Sequence, residues 1–216
     1  IEHVDRLIKD WHVRVYRQDF NMAPLADWRK HDTEDRRAIS EILHINGLYR
    51  LWDALLERFP HLLIDNCASG GRRIDIETLR RSIPLWRSDY QCSANFLNEG
   101  TQCHHLTFNQ WMPYSGTGGG RPYDTYRMRS AYSPALATNY TFSEREAFGD
   151  DPEKMAWLKE RLYEYLKVRP FMDEDFYPLT QVTDCTDAWS AAQFDRPSRK
   201  DGMVQVFRRE KSPFAE

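Results

Sequence analysis

The chain has 216 residues, with 30 Lys plus Arg against 33 Asp plus Glu and a formal charge of -3. Hydrophobic residues make up 41%, enough for a sizeable core and too many for a wholly disordered chain. A pI near 6.2 argues against nucleic acid or an anionic membrane as the main partner. Mean hydropathy is -0.74, no apolar run approaches the roughly 20 residues of a membrane helix, and no signal peptide is visible.

Aromatic residues are abundant, with seven Trp and eleven Tyr; they suit packed cores, and they also suit the C–H faces of sugars. The four cysteines, Cys67, Cys92, Cys103 and Cys185, form no CxxC pair. Cys103-His104-His105 has no second pair at ligand spacing, so no metal site is expected.

In chain order, Ile1, Val4, Leu7, Ile8 and Trp11 have helical spacing with no capping residue before them, so residues 1–12 read as the end of a helix. Val13–Phe20 reads as a strand and Asn21–Asp32 as a loop. A long helix is expected from Thr33 to about Phe59, with Ile39, Ile42, Leu43, Leu48, Leu51, Leu55 and Leu56 on one broad face. His61–Cys67 is a buried strand, Ser69-Gly70-Gly71 a turn and Asp75–Ser82 a short helix. Pro84–Ser88 is a third strand candidate, Tyr90–Cys103 a helix and His105–Trp111 a fourth strand. Tyr114–Tyr123 reads as a Gly-rich loop, and Asp124–Ser133 carries no clear pattern. Leu136–Phe142 is a fifth strand. Pro152–Val168 is a helix with Met155, Leu158, Leu162, Tyr165 and Leu166 inward. Trp189–Phe194 and Met203–Arg209 read as antiparallel strands joined by a turn around Asp201-Gly202.

The alternation up to residue 168 argues for a parallel α/β sheet or barrel. The texture after Arg169-Pro170 suggests a second, all-β unit. In a parallel barrel the functional groups gather at the C-terminal strand ends. Those ends read Arg17-Gln18-Asp19-Phe20-Asn21, then Asp65 to Arg73, then Trp86-Arg87-Ser88-Asp89, then Asn109-Gln110-Trp111. Asp19 and Asp89 would stand two strands apart, which suits glycoside hydrolysis by a carboxylate pair. Each Asp alone could equally be a helix N-cap or a surface ion pair. Ser69-Gly70-Gly71 lets the backbone approach a ligand closely. Neither GxxxxGK[ST] nor GxGxxG occurs, which counts against a nucleotide-binding domain.

The segments Arg17–Asn21, Cys67-Ala68-Ser69-Gly70-Gly71-Arg72-Arg73-Ile74-Asp75 and Trp86–Asp89 resemble glycoside hydrolase family 36, the melibiase-like α-galactosidases. The tail residues Phe176–Leu179, Trp189, Gln193–Pro197 and Gly202–Arg209 resemble that family's passage into a C-terminal β-sandwich. The resemblance implies a partial (β/α)8 TIM barrel, about its fourth to eighth strands, over residues 1–168. Residues 169–216 would be a linker and the first strands of the sandwich. Three barrel strands would then precede residue 1, and a missing N-terminal half or a second chain would complete the barrel.

The implied activity is retaining hydrolysis of a terminal α-linked galactose. Asp19 would be the nucleophile and Asp89 the general acid and then base, with carboxyl groups about 5–5.5 Å apart. An acid in that role has to hold its proton until the leaving oxygen departs. Arg17, Asn21, Cys67, Ser69, Gly70, Gly71, Arg73 and Trp86 would contact the sugar, with no metal and no organic cofactor. The chain departs from the family at Gln18, where Trp is usual, at Arg17, where Lys is usual, and at Arg72, where a third Gly is common. Those departures leave N-acetylgalactosamine, or a related α-linked sugar, as an alternative substrate. A non-catalytic sugar-binding fragment is the alternative from another class, and the retention of both Asp19 and Asp89 argues against it. The expected partners are α-galactoside oligosaccharides, with neither nucleic acid nor membrane, and the compartment stays open.

Overall fold

The computed structural model describes residues 1–93, 95–112, 114–119, 122–138 and 151–214. It divides into two compact units, Ile1–Pro84 and Leu85–Glu216.

The first unit is built around a βαβ crossover. Helix α1 (Glu2–Asp10) leads into strand β1 (Val15–Asp19), and α3 (Ile39–Arg58) crosses to β2 (Leu63–Cys67). The two strands are parallel, with Val15 opposite Leu63 and Asp19 opposite Cys67. A single parallel bridge joins Asp65 to Ile83 on the other side of β2. Ile8, Leu48, Trp52, Leu55, Leu62 and Ile64 form the core between α1, α3 and the sheet.

The sequence places this frame correctly and errs at its joints. The expected loop over Asn21–Asp32 contains a helix, α2 (Leu25–His31). Pro24 precedes it with a preset φ of -79°, Asp27 lies in its first turn and Arg29, Lys30 and His31 lie in its last. Both charge placements favour the helix dipole. The long helix begins at Ile39 rather than Thr33. The Asp32 carboxylate accepts the N–H groups of Ala38 (2.6 Å) and Ser40 (3.0 Å), and Ala38 sits at φ 67°. Ile42 and Leu43 point outward, 52% and 58% exposed, so the inward stripe of α3 runs through other residues. Asp75 caps the short α4 (Ile76–Leu79) in a reciprocal arrangement with Thr78.

The second unit carries more corrections. Pro84–Ser88 forms no strand. Pro84 has no N–H to give to a ladder, and of the following residues Arg87 donates its N–H to Gly116 O at 3.0 Å. Tyr90–Cys103 is not one helix: a 3-10 turn covers Asp89–Cys92, and α5 runs from Asn98 to Phe108. The expected strand His105–Trp111 therefore lies largely inside and just beyond that helix. Its local alternation misleads, because the buried residues Gln102, His105, Leu106 and Asn109 have the i, i+3, i+4, i+7 spacing of a helix face.

Strand β3 (Gly116–Gly118) lies where a loop is expected, and pairs in parallel with β4 (Ala135–Ala137). A Cβ on Gly116 would stand 1.9 Å from Leu85 O, so only glycine fits that strand. The fifth expected strand is thus present as Ala135–Ala137, and its residues 139–142 lie outside the described residues. Asp124 caps α6 (Thr125–Ser130) through the Arg127 N–H.

Helix α7 (Pro152–Val168) forms as expected, with Pro at its first turn and the Asp151 carboxylate accepting two N–H groups. Leu158 and Tyr165 are buried, whereas Met155 and Leu166 are 46% and 59% exposed. Strands β5 (Asp175–Pro178), β6 (Trp189–Arg196) and β7 (Asp201–Arg208) form an antiparallel sheet in the order β5-β6-β7. The hairpin turn lies before Asp201, at Pro197–Lys200, with Lys200 at φ 56°. Leu106, Met128, Tyr132, Leu158, Tyr165, Met172, Ala192 and Phe194 make the core of this unit. No helix of the described residues is long and apolar enough to cross a membrane.

Candidate active site

In the first unit the C-terminal ends of β1 and β2 lie side by side, with Asp19 opposite Cys67. Strand alternation puts Arg17, Asp19 and Asn21 on one face and Gln18 and Phe20 on the other. Arg17 reaches Asp65 on the neighbouring strand at 2.5 Å and Asp19 at 3.5 Å. Asp65 is only 4% exposed, whereas Asp19 is accessible. The fork of Arg17 thus ties a buried carboxylate to an accessible one.

Three further groups, Asn21, Cys67 and Ser69, close around Asp19. Burial pushes its carboxyl up, but hydrogen bonds from Asn21 and Cys67, the Arg17 charge and the Ser69 N–H outweigh that and hold it below the usual carboxylate range. Burial raises the Cys67 thiol above its ordinary value, so Cys67 is a protonated S–H donor beside an ionised Asp19. Asn21 Oδ1 accepts both the N–H and the hydroxyl of Ser69 at 2.9 Å.

The turn that carries Ser69 is held in a conformation few residues tolerate. Ser69 has φ 45° and Gly70 φ 72°, and Ala68 N donates to Gly70 O at 3.1 Å. Arg72 braces this turn by donating to Ser69 Oγ at 2.6 Å. Arg73 lies below, donating to the carbonyls of Gln18 and Cys67 at 3.0 Å each and to Asn66 Oδ1 at 2.8 Å. It therefore clamps the two strand ends together. Its guanidinium lies 5.2 Å from the ring centroid of buried Trp52.

Gln18, the departure noted within the motif, lies on the other face. Its side chain accepts the Trp52 indole N–H at 2.7 Å and so points toward α3 rather than alongside Asp19. The substitution is accommodated by the packing of α3.

In the second unit Asp89 opens the 3-10 turn, and Ser88 caps that turn by accepting the Tyr90 N–H at 3.1 Å. Trp86, expected as a sugar contact, donates its indole N–H to Asp89 Oδ1 at 3.0 Å. Cys92 shares the corner: burial first, then the Asp89 charge, raises its thiol. Beneath Asp89 in sequence, Arg87 is 0% exposed and donates to Ser115 Oγ at 3.3 Å and to His105 Nδ1 at 3.3 Å. Burial lowers its guanidinium to about 9.

Sequence reasoning finds Asp19, Asn21, Cys67, Ser69 and Arg17, which the structure brings together in one cluster. It misses Asp65, whose signal is a carboxylate directly after the apolar run Leu62–Ile64 and within the buried strand. It also misses Cys92, three residues after Asp89. Among the described residues no three His, Cys, Asp or Glu side chains gather as metal ligands.

The model of the Melibiase family matches residues 1–98, which carry the Asp19 cluster and the Trp86–Asp89 corner. That match covers just under half of the chain. An α-galactosidase of Escherichia coli is 58% identical over 41 residues, 19% of this chain and 6% of that protein. Alpha-galactosidase 1 of Pediococcus pentosaceus is 24% identical over 220 residues, covering 95% of this chain and 28% of that protein. The crystal structure of the GH36 α-galactosidase AgaA from Geobacillus stearothermophilus superposes with a TM-score of 0.66 at 17% identity, over 95% of this chain and 29% of that one. The fold of this chain is thus that of this GH36 α-galactosidase. It spans less than a third of the length of each of these three relatives.

A buried cation next to two histidines makes stability depend on pH. Burial, then the Arg87 charge, lowers His104 to about 4 and His105 well below its ordinary value. Above pH 6.5 both rings are neutral folded or unfolded, so their stabilisation is complete. As pH falls below about 6.5, the unfolded chain takes up protons that the folded one refuses, and stability drops until about pH 4 is reached for His104. Each histidine should remove up to about 1.4 kcal/mol per pH unit in that window. Urea midpoints measured at pH 7, 6 and 5 should fall stepwise, and His104→Asn should flatten the slope; an unchanged slope would contradict the assignment.

Proposed function

We propose that this chain contributes both catalytic carboxylates of a retaining glycoside hydrolase for terminal α-linked galactose. The observation that carries the reading is the Asp19 cluster, an accessible carboxylate at a parallel strand end held ionised by Arg17, Asn21, Cys67 and Ser69. A nucleophile for an acetal carbon has to be an anion at neutral pH, and four donors or charges keep this one so. In this reading residues 1–168 are the fourth to eighth strands of a (β/α)8 barrel with their helices. Residues 169–216 are a linker and the first strands of a β-sandwich.

In the first step Asp19 forms a bond to the anomeric carbon while the glycosidic C–O bond breaks, and Asp89 gives its proton to the departing oxygen. In the second step Asp89 takes a proton from water, the water oxygen bonds to the anomeric carbon, and Asp19 leaves as a carboxylate. The Trp86 N–H fixes the direction of the Asp89 carboxylate. Arg17, Asn21, Cys67, Ser69, Gly70, Gly71 and Arg73 contact the sugar beside Asp19 or hold the walls around it, and Trp86 serves Asp89. The α-galactosidase names of the relatives support galactose as the sugar.

The test is turnover of an aryl α-galactoside by the protein that carries this chain, with the anomer of the first product read by NMR. Release of α-galactose is expected. Release of β-galactose would refute the double displacement, and turnover of the α-N-acetylgalactosaminide alone would move the sugar assignment.

A further inference from the structure

Phe20 follows Asp19 directly, and strand alternation turns its ring to the opposite face. On that face α2, α3 and the Ala68–Arg73 turn line an open cavity of about 280 Å³. Its wall along α3 consists of Glu41, His44, Ile45, Leu48 and Tyr49, which are spaced i, i+3, i+4, i+7 and i+8 and so form a single helix face. An inward face would ordinarily be apolar throughout. Here it begins with the half-buried Glu41 and with His44, which is exposed like its neighbours Ile42 and Leu43.

The lining has two chemical characters. Trp28, His44 and Phe20 make a continuous aromatic surface, with ring centroids 5.2 Å and 5.4 Å apart. Around it stand two carboxylates, Glu41 and Asp75, and two guanidiniums, Arg72 and Arg73. Neither Glu41 nor His44 has a hydrogen-bond or ion-pair partner among the described residues.

We propose that this cavity is a second binding site, separate from the Asp19 cluster, that takes one neutral sugar ring. Aromatic faces accept the C–H side of such a ring, carboxylates accept its hydroxyl protons and Arg72 donates to its oxygens. The balance of two negative and two positive groups favours a neutral ligand over an anion or a cation, and apolar walls with a few convergent polar groups are the usual build of a small-molecule site. The site stands whether or not Asp19 is the nucleophile. If it is, the occupant touches the catalytic turn from behind, because Arg72 also holds Ser69 Oγ and Ser69 holds Asn21.

The experiment titrates galactose, glucose and sucrose, and adenosine as a non-sugar ring, into the Asp19→Asn protein, following the Trp28 indole and His44 imidazole signals by NMR. At least one of the three sugars should shift both signals saturably. Trp28→Ala should weaken that binding at least about tenfold, equivalent to about 1.4 kcal/mol. Glu41→Gln, a milder change on the cavity rim, should weaken it several-fold with the fold intact. Arg17→Ala should leave it unchanged. The proposal is overturned if none of the sugars shifts the two signals, if adenosine alone does, or if binding is lost in Arg17→Ala and kept in Trp28→Ala. Retained hydrolysis by the Asp19→Asn protein with this binding intact would count against the nucleophile assignment only.

Discussion

Asp19→Asn should abolish turnover of an aryl α-galactoside, with kcat falling at least about a thousandfold, as is usual when a covalent nucleophile is removed. The amide keeps the shape of the side chain and can still meet Asn21 and Ser69. What it loses is the negative charge that faces Arg17 at 3.5 Å and the lone pair that attacks carbon. Arg17 keeps its buried partner Asp65, so the β1–β2 pairing should survive. Circular dichroism and the urea midpoint should therefore change little. A loss of activity accompanied by unfolding would point to a structural role instead, and retained activity would remove Asp19 from the reaction.

Asp89→Ala should produce a loss that depends on the leaving group. A general acid contributes about 10²–10⁴-fold where the departing oxygen needs a proton. Hydrolysis of an oligosaccharide or an alkyl α-galactoside should fall by that range. Cleavage of a dinitrophenyl α-galactoside, whose phenolate departs unaided, should fall within about tenfold for the first step. Added azide should then restore turnover as α-galactosyl azide, since the second step has lost its base. An equal loss on all substrates would show that Asp89 is not the acid. Trp86→Phe removes the indole N–H that meets Asp89 Oδ1 at 3.0 Å and should reproduce the same leaving-group pattern more weakly.

These expectations rest on parts of the molecule that were legible to different degrees. The crossover from Val15 to Cys67 is written in long-range apolar periodicity, and so is α7, whose first turn is also marked by Asp151 and Pro152. The errors fall where period and context disagree. His105–Trp111 alternates like a strand, but the burial of Gln102, His105, Leu106 and Asn109 follows the helix begun at Asn98. Gly116–Gly118 carries no side chain to reveal a strand; what makes it one is the close approach of Leu85, a tertiary fact. Helix α2 is short and depends on end charges rather than on an apolar stripe, since none of its residues is buried.

The candidate site divides in the same way. Asp19, Asn21, Cys67 and Ser69 are recognisable from their motifs, and the parallel register explains why they meet: Asp19 faces Cys67 across the ladder. The partner of Arg17 is not recognisable from the motif. Asp65 becomes visible only once the same register sets it beside Arg17. Gln18 shows the reverse, a departure within the motif that the strand's alternation turns away from the carboxylate and toward Trp52.

The most direct test of the central claim is a covalent trap. A 2-deoxy-2,2-difluoro or 5-fluoro galactosyl reagent with an activated leaving group slows the second step, so the glycosyl-enzyme accumulates. Peptide mass spectrometry of the inactivated protein should place the sugar on Asp19, within the segment Arg17–Asn21. A label on Asp65, Asp89 or any other side chain, or inactivation with no covalent label at all, would contradict the account.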